Sequence, residues 1–304
     1  MRVALYALTS QQAAAAPLGP AAPDVPTRVV PALPALPALP PRVVGVDFSG
    51  AVQAGRKIWV TLAEPAGAAL HVRDVRRAEA LPDGGAGRAR ALAALVDWLL
   101  GLGPGAVGLD FPFGLHWDLV PERTLAAFIA AFPLRYPTPE AFRSACWYAG
   151  GERALKRRCD VEARTPFAAH NLRLYRQTWY GIAEVLGPLC RAGARLLPQE
   201  PAHPGRLWLL ETCPASALKQ RGWYGPYKGR TPAHRRARAA LLRHVQAEGV
   251  AVPPRLRAGL LSDAQGDALD SVLCAWIAWR AVRDPALLRP SLAPEHRVEG
   301  YVYA

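Results

Sequence analysis

Val43-Val44-Gly45-Val46-Asp47-Phe48 recurs, little changed, as Ala106-Val107-Gly108-Leu109-Asp110-Phe111. Each copy is a short run rich in Val and Leu that ends in an aspartate. It then breaks at turn residues, Ser49-Gly50 in one case and Pro112 and Gly114 in the other. Bounded apolar runs of this kind read as strands buried on both faces. A carboxylate closing such a strand is costly to desolvate unless it is paired, hydrogen-bonded or bound to a cation. One aspartate so placed is explained by a turn. Two of them, with Glu211 and an Asp267/Asp270 pair further along, predict an acidic site assembled from separate segments.

Outward from the first copy, residues 57–62 and 70–75 read as two more strands, separated by glycine-containing turns that suit an antiparallel meander. Residues 88–102 carry Leu92, Leu95, Val96, Leu99 and Leu100 at helical spacing, stopped by Gly101 and Gly103. A long helix before a second buried strand implies a crossover to a parallel position. Helices are then predicted over 122–132, 139–148 and 171–189, a strand over 206–211, and a last helix near 263–282. The order βββαβ–insert–βα is the ribonuclease H order. The predicted fold is therefore α/β: a ribonuclease H-like mixed five-stranded sheet with a large helical insert between the fourth and fifth strands. The domain is expected over 42–304, with the insert at about 115–205. Residues 1–41, with their Pro-Ala-Leu repeats, read as a disordered Pro/Ala-rich tail.

Composition narrows the class. At 304 residues, 51% hydrophobic and 20% charged, the chain reads as a soluble globular protein. No apolar run approaches the ~20 residues that span a bilayer, and the brief apolar N-terminus is shorter than a signal-peptide core. The cytoplasm is the expected location. Cys146, Cys159, Cys190, Cys213 and Cys274 are scattered, without the pairings that mark a zinc site or a disulfide framework, and read as reduced. The net charge of +13 points towards a polyanionic partner. Only Lys57, Lys156, Lys219 and Lys228 are lysines, so 33 of the 37 basic residues are arginines, a bias that GC-rich coding also produces.

In the predicted topology Asp47, Asp110 and Glu211 each end a parallel strand, at the rim where ligands of open α/β sheets gather. Asp267 and Asp270, at i and i+3, share a face of the last helix. Carboxylates brought together repel one another, so a cation is expected with them. Mg²⁺ or Mn²⁺ suits all-oxygen ligands, with Asp47, Asp110, Glu211 and Asp270 as the expected metal set. Such ions can activate water and stabilise the leaving oxygen of a phosphodiester. Structural readings stand beside these. Asp263 suits a helix cap, Asp267 a first-turn acid, and Glu211 a partner for Lys219 or an arginine. Asp97 lies too far along its helix to join the site.

Between Thr212 and Ala247 there is no acidic residue, while Lys219, Arg221, Lys228, Arg230, Arg235, Arg236, Arg238 and Arg243 all occur, interleaved at first with Trp223, Tyr224 and Tyr227. The pattern suits a phosphate track with stacked bases, or equally a solvated loop and helix face. Lys228 and Arg230 here, with Arg173 and Arg176 from the insert, are the candidate substrate-binding residues, and Arg153, Lys156, Arg157 and Arg158 add further basic groups with which the insert could close over a substrate. His170 reads as a structural hydrogen-bonding residue.

The segments Val46-Asp47-Phe48-Ser49-Gly50, Leu109-Asp110-Phe111-Pro112, Glu211-Thr212-Cys213-Pro214-Ala215, Tyr227-Lys228-Gly229-Arg230, Asp267-Ala268-Leu269-Asp270 and Glu299-Gly300-Tyr301 together resemble the family called domain of unknown function 429. That family is regarded as a predicted nuclease with the ribonuclease H fold. The resemblance covers roughly 43–303 in order, and nominates Asp47, Asp110, Glu211, Asp267 and Asp270 as catalytic. The expected function is metal-dependent hydrolysis of nucleic acid. A non-catalytic nucleic-acid-binding module on the same fold is the alternative. A phosphotransferase of the actin and sugar-kinase superfamily shares the sheet order but needs two such domains and Gly-rich phosphate loops.

Overall fold

In the computed structural model, which describes residues 38–304, the first copy of the repeated phrase forms β1 (Val43–Asp47). β2 (Trp59–Ala66), β3 (Ala69–Arg77) and α1 (Arg88–Gly101) follow, and the second copy forms β4 (Gly105–Leu109). The insert holds α2 (Leu125–Arg135), α3 (Pro139–Ala149), α4 (Arg158–Glu162), α5 (Tyr175–Gly181) and α6 (Gly187–Arg191), and ends in β5 (Arg195–Leu197). Then come β6 (Leu207–Thr212), α7 (Pro214–Gln220), α8 (Pro232–Ala247), β7 (Val250–Ala251) and α9 (Pro254–Ser262). The chain closes with α10 (Asp267–Arg283), α11 (Pro285–Leu288), α12 (His296–Glu299) and β8 (Val302–Tyr303). The expected tail over 1–41 lies, up to residue 37, outside the described residues.

Local chemistry sets several boundaries. Thr124, Thr138 and Thr231 cap α2, α3 and α8, each side-chain oxygen accepting from the amide three residues on. The helix expected over 171–189 divides: a π turn (Ile182–Leu186) separates α5 from α6. Pro188 explains the widening, since it has no N–H for the preceding turn and its ring crowds that turn's carbonyl.

Strand order in the sheet is β5-β6-β4-β1-β2-β3-β7. β1, β4, β6 and β5 run parallel, β2 is antiparallel to β1 and β3, and β7 is parallel to β3. β8 pairs with β6 in parallel at Glu211 and Thr212, past the stretch that β5 occupies. Among the described residues the sheet thus has eight strands where the sequence predicts five. The additional β5, β7 and β8 are two or three residues long, too short to carry a periodic signal of their own.

Alternate residues of the central strands serve two cores. Val44, Val46, Val107, Leu109 and Leu209 pack with α1 and the insert. Val43, Ala106, Trp208 and Leu210 pack on the other side with α7, α8 and α10. On that second face two glycines stand side by side, Gly45 opposite Gly108. A Cβ at Gly45 would lie 2.0 Å from the Ser271 carbonyl oxygen, and one at Gly108 would lie 2.5 Å from that of Cys274. The duplicated glycine therefore lets α10 rest directly on the sheet backbone. Because side chains alternate, the aspartate two residues after each glycine faces the same helix. Among the described residues, no helix is long and apolar enough to cross a membrane.

Candidate metal centre

Asp47 is the last residue of β1. Asp110 directly follows β4, its N–H donating to the Val46 carbonyl at 3.0 Å, so it still sits on the ladder. Glu211 is the penultimate residue of β6, not its last. The close seat of α10 brings in its first turn. Asp47, Asp267 and Asp270 each offer an oxygen, all within 4.8 Å of one another. The exposed amides of a helix N-terminus favour negative charge there. Asp263 lies before that helix and not in it. Its carboxylate accepts from Ala268 N at 2.9 Å, the capping role the sequence suggests.

A loop after α7 completes the cluster. Tyr227 donates its hydroxyl to Asp270 Oδ1 at 2.7 Å, and Lys228 Nζ lies 2.7 Å from Asp270 Oδ2 and 3.3 Å from Asp267 Oδ1. Arg238 belongs to this loop's support, which is why it leaves the expected phosphate track. It is buried, and its guanidinium donates to the carbonyls of Tyr227 (2.6 Å), Gly229 (3.0 Å) and Leu261 (3.0 Å). Gly266, at φ +79°, makes room for the loop: a Cβ there would lie 2.8 Å from the Tyr227 ring and 3.3 Å from Lys228 Cγ.

The electrostatics of the cluster are unbalanced. Burial, then the neighbouring Asp270, Asp110 and Asp267, hold the Asp47 carboxyl well above the usual range, with Lys228 opposing. Burial and Asp270 push Asp110 up to about 8. Asp270 is raised by burial against the pull of Lys228 and Tyr227. For Lys228, burial works against the charge, but Asp270 outweighs it and keeps the amine firmly protonated. Four carboxylates meet one ammonium, so the cluster favours added protons or an added cation.

Glu211 faces other company. Arg157, fully buried on the insert, donates to both Glu211 oxygens, one of them at 2.8 Å, and to Asp160 at 2.8 and 2.9 Å. Phe113 N donates to Glu211 Oε2 at 2.9 Å. Burial raises the Glu211 carboxyl, and Arg157 opposes the rise. Beside this group Glu299 accepts from Trp117 N at 3.1 Å and from Arg158 N, while its carbonyl accepts from Arg157 at 3.0 Å. The geometry gives Glu211 to an arginine, not to the aspartate cluster. In the sequence Arg157 reads as one of the insert's basic residues that close over a substrate; the structure instead turns it inward onto Glu211 and Asp160, and Asp160 had not been singled out. The i, i+3 spacing of Arg157 and Asp160 was the available signal.

The other candidate contacts lie outside the cluster's hydrogen bonds. Arg230 is exposed. Arg173 lies 5.5 Å over the Phe167 ring, and Arg176 pairs with Glu140 at 2.8 Å on the surface. Arg235, Arg236 and Arg243 are exposed on α8. The three interleaved aromatics each have a partner: Trp223 stacks on His244 at 4.8 Å, Tyr227 is buried on Asp270, and Lys219 Nζ lies 5.3 Å from the centroid of the exposed Tyr224 ring. Gln177 Nε2 donates to the Asp110 carbonyl at 2.7 Å, tying the insert to the rim. His170 is buried, with Nε2 3.3 Å from the Arg153 carbonyl. All five cysteines are free.

Fold and site together define an α/β protein with a buried acidic cluster at the ends of parallel strands. The chain belongs to the family described as Protein of unknown function (DUF429), whose model matches residues 45–295. No curated protein and no solved structure matches it.

Proposed function

We propose that this protein is a metal-dependent nuclease on a ribonuclease H-like fold. The order β3-β2-β1-β4-β6, with only β2 reversed, supports the fold assignment, with β5, β7 and β8 as additions at the sheet's margins. The observation that carries the chemical reading is the approach of Asp47, Asp267 and Asp270 within 4.8 Å. A cation suits this donor set, because the Lys228 ammonium already lies against two of its members. Oxygen-only donors favour Mg²⁺ or Mn²⁺ over softer metals. Asp47, Asp267 and Asp270 would hold the ion, with Asp110 beside them. Such an ion supplies Lewis acidity towards a phosphodiester oxygen and neutralises the charge that builds on it. In the metal-free site burial and Asp270 push Asp110 up to about 8, so it holds a proton near neutral pH that an incoming ion would release. Glu211 serves to fix β6 against the insert through Arg157. Nucleic acid is the proposed substrate, drawn by the net charge of +13 and the exposed Arg173, Arg176, Arg230, Arg235 and Arg236.

Single-stranded, duplex, hybrid and branched oligonucleotides incubated with Mg²⁺ or Mn²⁺ test the proposal. Cleavage is expected from the native protein and not from an Asp47→Asn/Asp270→Asn variant. Equal, background-level cleavage by both removes the nuclease reading. If salt-sensitive binding then persists in both, the protein is a binding module instead.

A further inference from the structure

Both carboxylate oxygens of Asp270 are engaged, by partners that differ in freedom. Oδ1 accepts from the Tyr227 hydroxyl and Oδ2 meets Lys228 Nζ, each at 2.7 Å. Tyr227 is buried, with its ring against the space that only a glycine at 266 leaves open. The Lys228 side chain is 49% exposed, on a flexible four-carbon stem. The backbone around it is clamped: Arg238 holds the carbonyls of Tyr227 and Gly229, and Gly229 N donates to Ala264 O at 2.6 Å. The side chain can therefore leave while the loop stays. Neither oxygen of Asp270 is free of a partner, so a divalent ion drawn to Asp47, Asp267 and Asp270 meets there either the buried Tyr227 hydroxyl or the exposed ammonium. Two cations on one oxygen repel strongly, and the singly charged, solvent-facing one is the one able to withdraw.

We propose that Lys228 is a tethered counter-ion, which a divalent cation displaces from Asp267 and Asp270 and which then offers its ammonium to a phosphate of the substrate. This rests on the metal-dependent reading above. Before the ion arrives, the lysine compensates part of the buried negative charge and keeps the helix acids and the loop together. Once displaced, it carries an exposed positive charge at the rim, available to a polyanion. Ion and polyanion binding are thereby coupled, each strengthening the other by the same factor.

The chain has four lysines, so protein labelled with ¹³C at lysine Cε gives four signals, and that of Lys228 is the one absent from a Lys228→Met variant. Added Mg²⁺ should move this signal towards that of a solvated lysine. In calorimetry with Mn²⁺, Lys228→Met should bind about tenfold more tightly than the native protein, as for an ammonium that covers the carboxylates about nine-tenths of the time. Uptake of Mn²⁺ with the Lys228 signal unmoved and equal affinity in the variant would overturn the displacement and leave the metal reading standing. No uptake by either protein would remove the metal reading, and the displacement with it.

Discussion

Two groups of buried acids stand at neighbouring strand ends, and they are solved in opposite ways. Around Arg157, donors are built in: the guanidinium fork reaches Glu211 and Asp160, Phe113 N adds a bond to Glu211, and backbone amides hold Glu299. Around Asp47, the aspartates face one another, and burial with mutual repulsion lifts their proton affinity. Their one ion-pair partner among the described residues is a half-exposed lysine. Both groups cost desolvation. The first repays it with fixed hydrogen bonds and acts as framework, joining the insert to β6 and to the segment around Glu299. The second leaves the cost partly unmet, which is the condition under which a cation binds.

The contrast predicts opposite mutational signs. Arg157→Met should be the most damaging change, costing about 3–5 kcal/mol in urea unfolding, because it strands Asp160 and Glu211 as uncompensated buried charges. A loss below about 1 kcal/mol would break the comparison. Asp110→Asn should instead stabilise the metal-free protein at pH 8–9, by about 1–3 kcal/mol. The sign follows from the titration. Asp110 rises from an ordinary 3.8 to about 8 in the folded chain, so between those values the folded state keeps a proton that the unfolded state has lost. Its contribution is whole below about 4 and fades as pH climbs through 8. Thermal melts in chelator should therefore fall across that window, more shallowly in Asp110→Asn, and Mg²⁺ or Mn²⁺ should restore stability most at the alkaline end. Melts that rise with pH there would contradict this. Arg176→Ala should be mildest. Its pair with Glu140 is exposed on both sides, so stability should change by less than about 0.5 kcal/mol. Oligonucleotide affinity should weaken and its salt slope should fall by about one. An unchanged slope would take Arg176 out of the binding surface.

How far these features were legible depended on how local their causes are. β1 and β4 show in the sequence because five consecutive buried residues leave an apolar run, and the Asp267/Asp270 pair shows because helical spacing is short-range. The glycine two residues before each strand-end aspartate was visible as text, but its purpose was not: only the position of α10 explains it. β5, β7 and β8 owe their pairing to strands that are already present, so two or three residues carry no pattern. Glu211 looked like a fifth member of the cluster by its place at a strand end. Its direction is decided by Arg157, 54 residues earlier, a long-range pairing that no local rule reaches. Lys228 stood out as a basic residue of an acid-free stretch, whereas its ion pair with Asp270 spans two separate elements.

Calorimetric titration of Mn²⁺ into the metal-free protein at pH 7.5, set against Asp47→Asn/Asp270→Asn, tests the cation-seeking cluster most directly. Saturable binding with release of protons is predicted for the native chain, since acids with raised proton affinity must give up protons to the ion, and its loss is predicted in the variant. Absence of uptake, or uptake that the two substitutions leave intact, would contradict it.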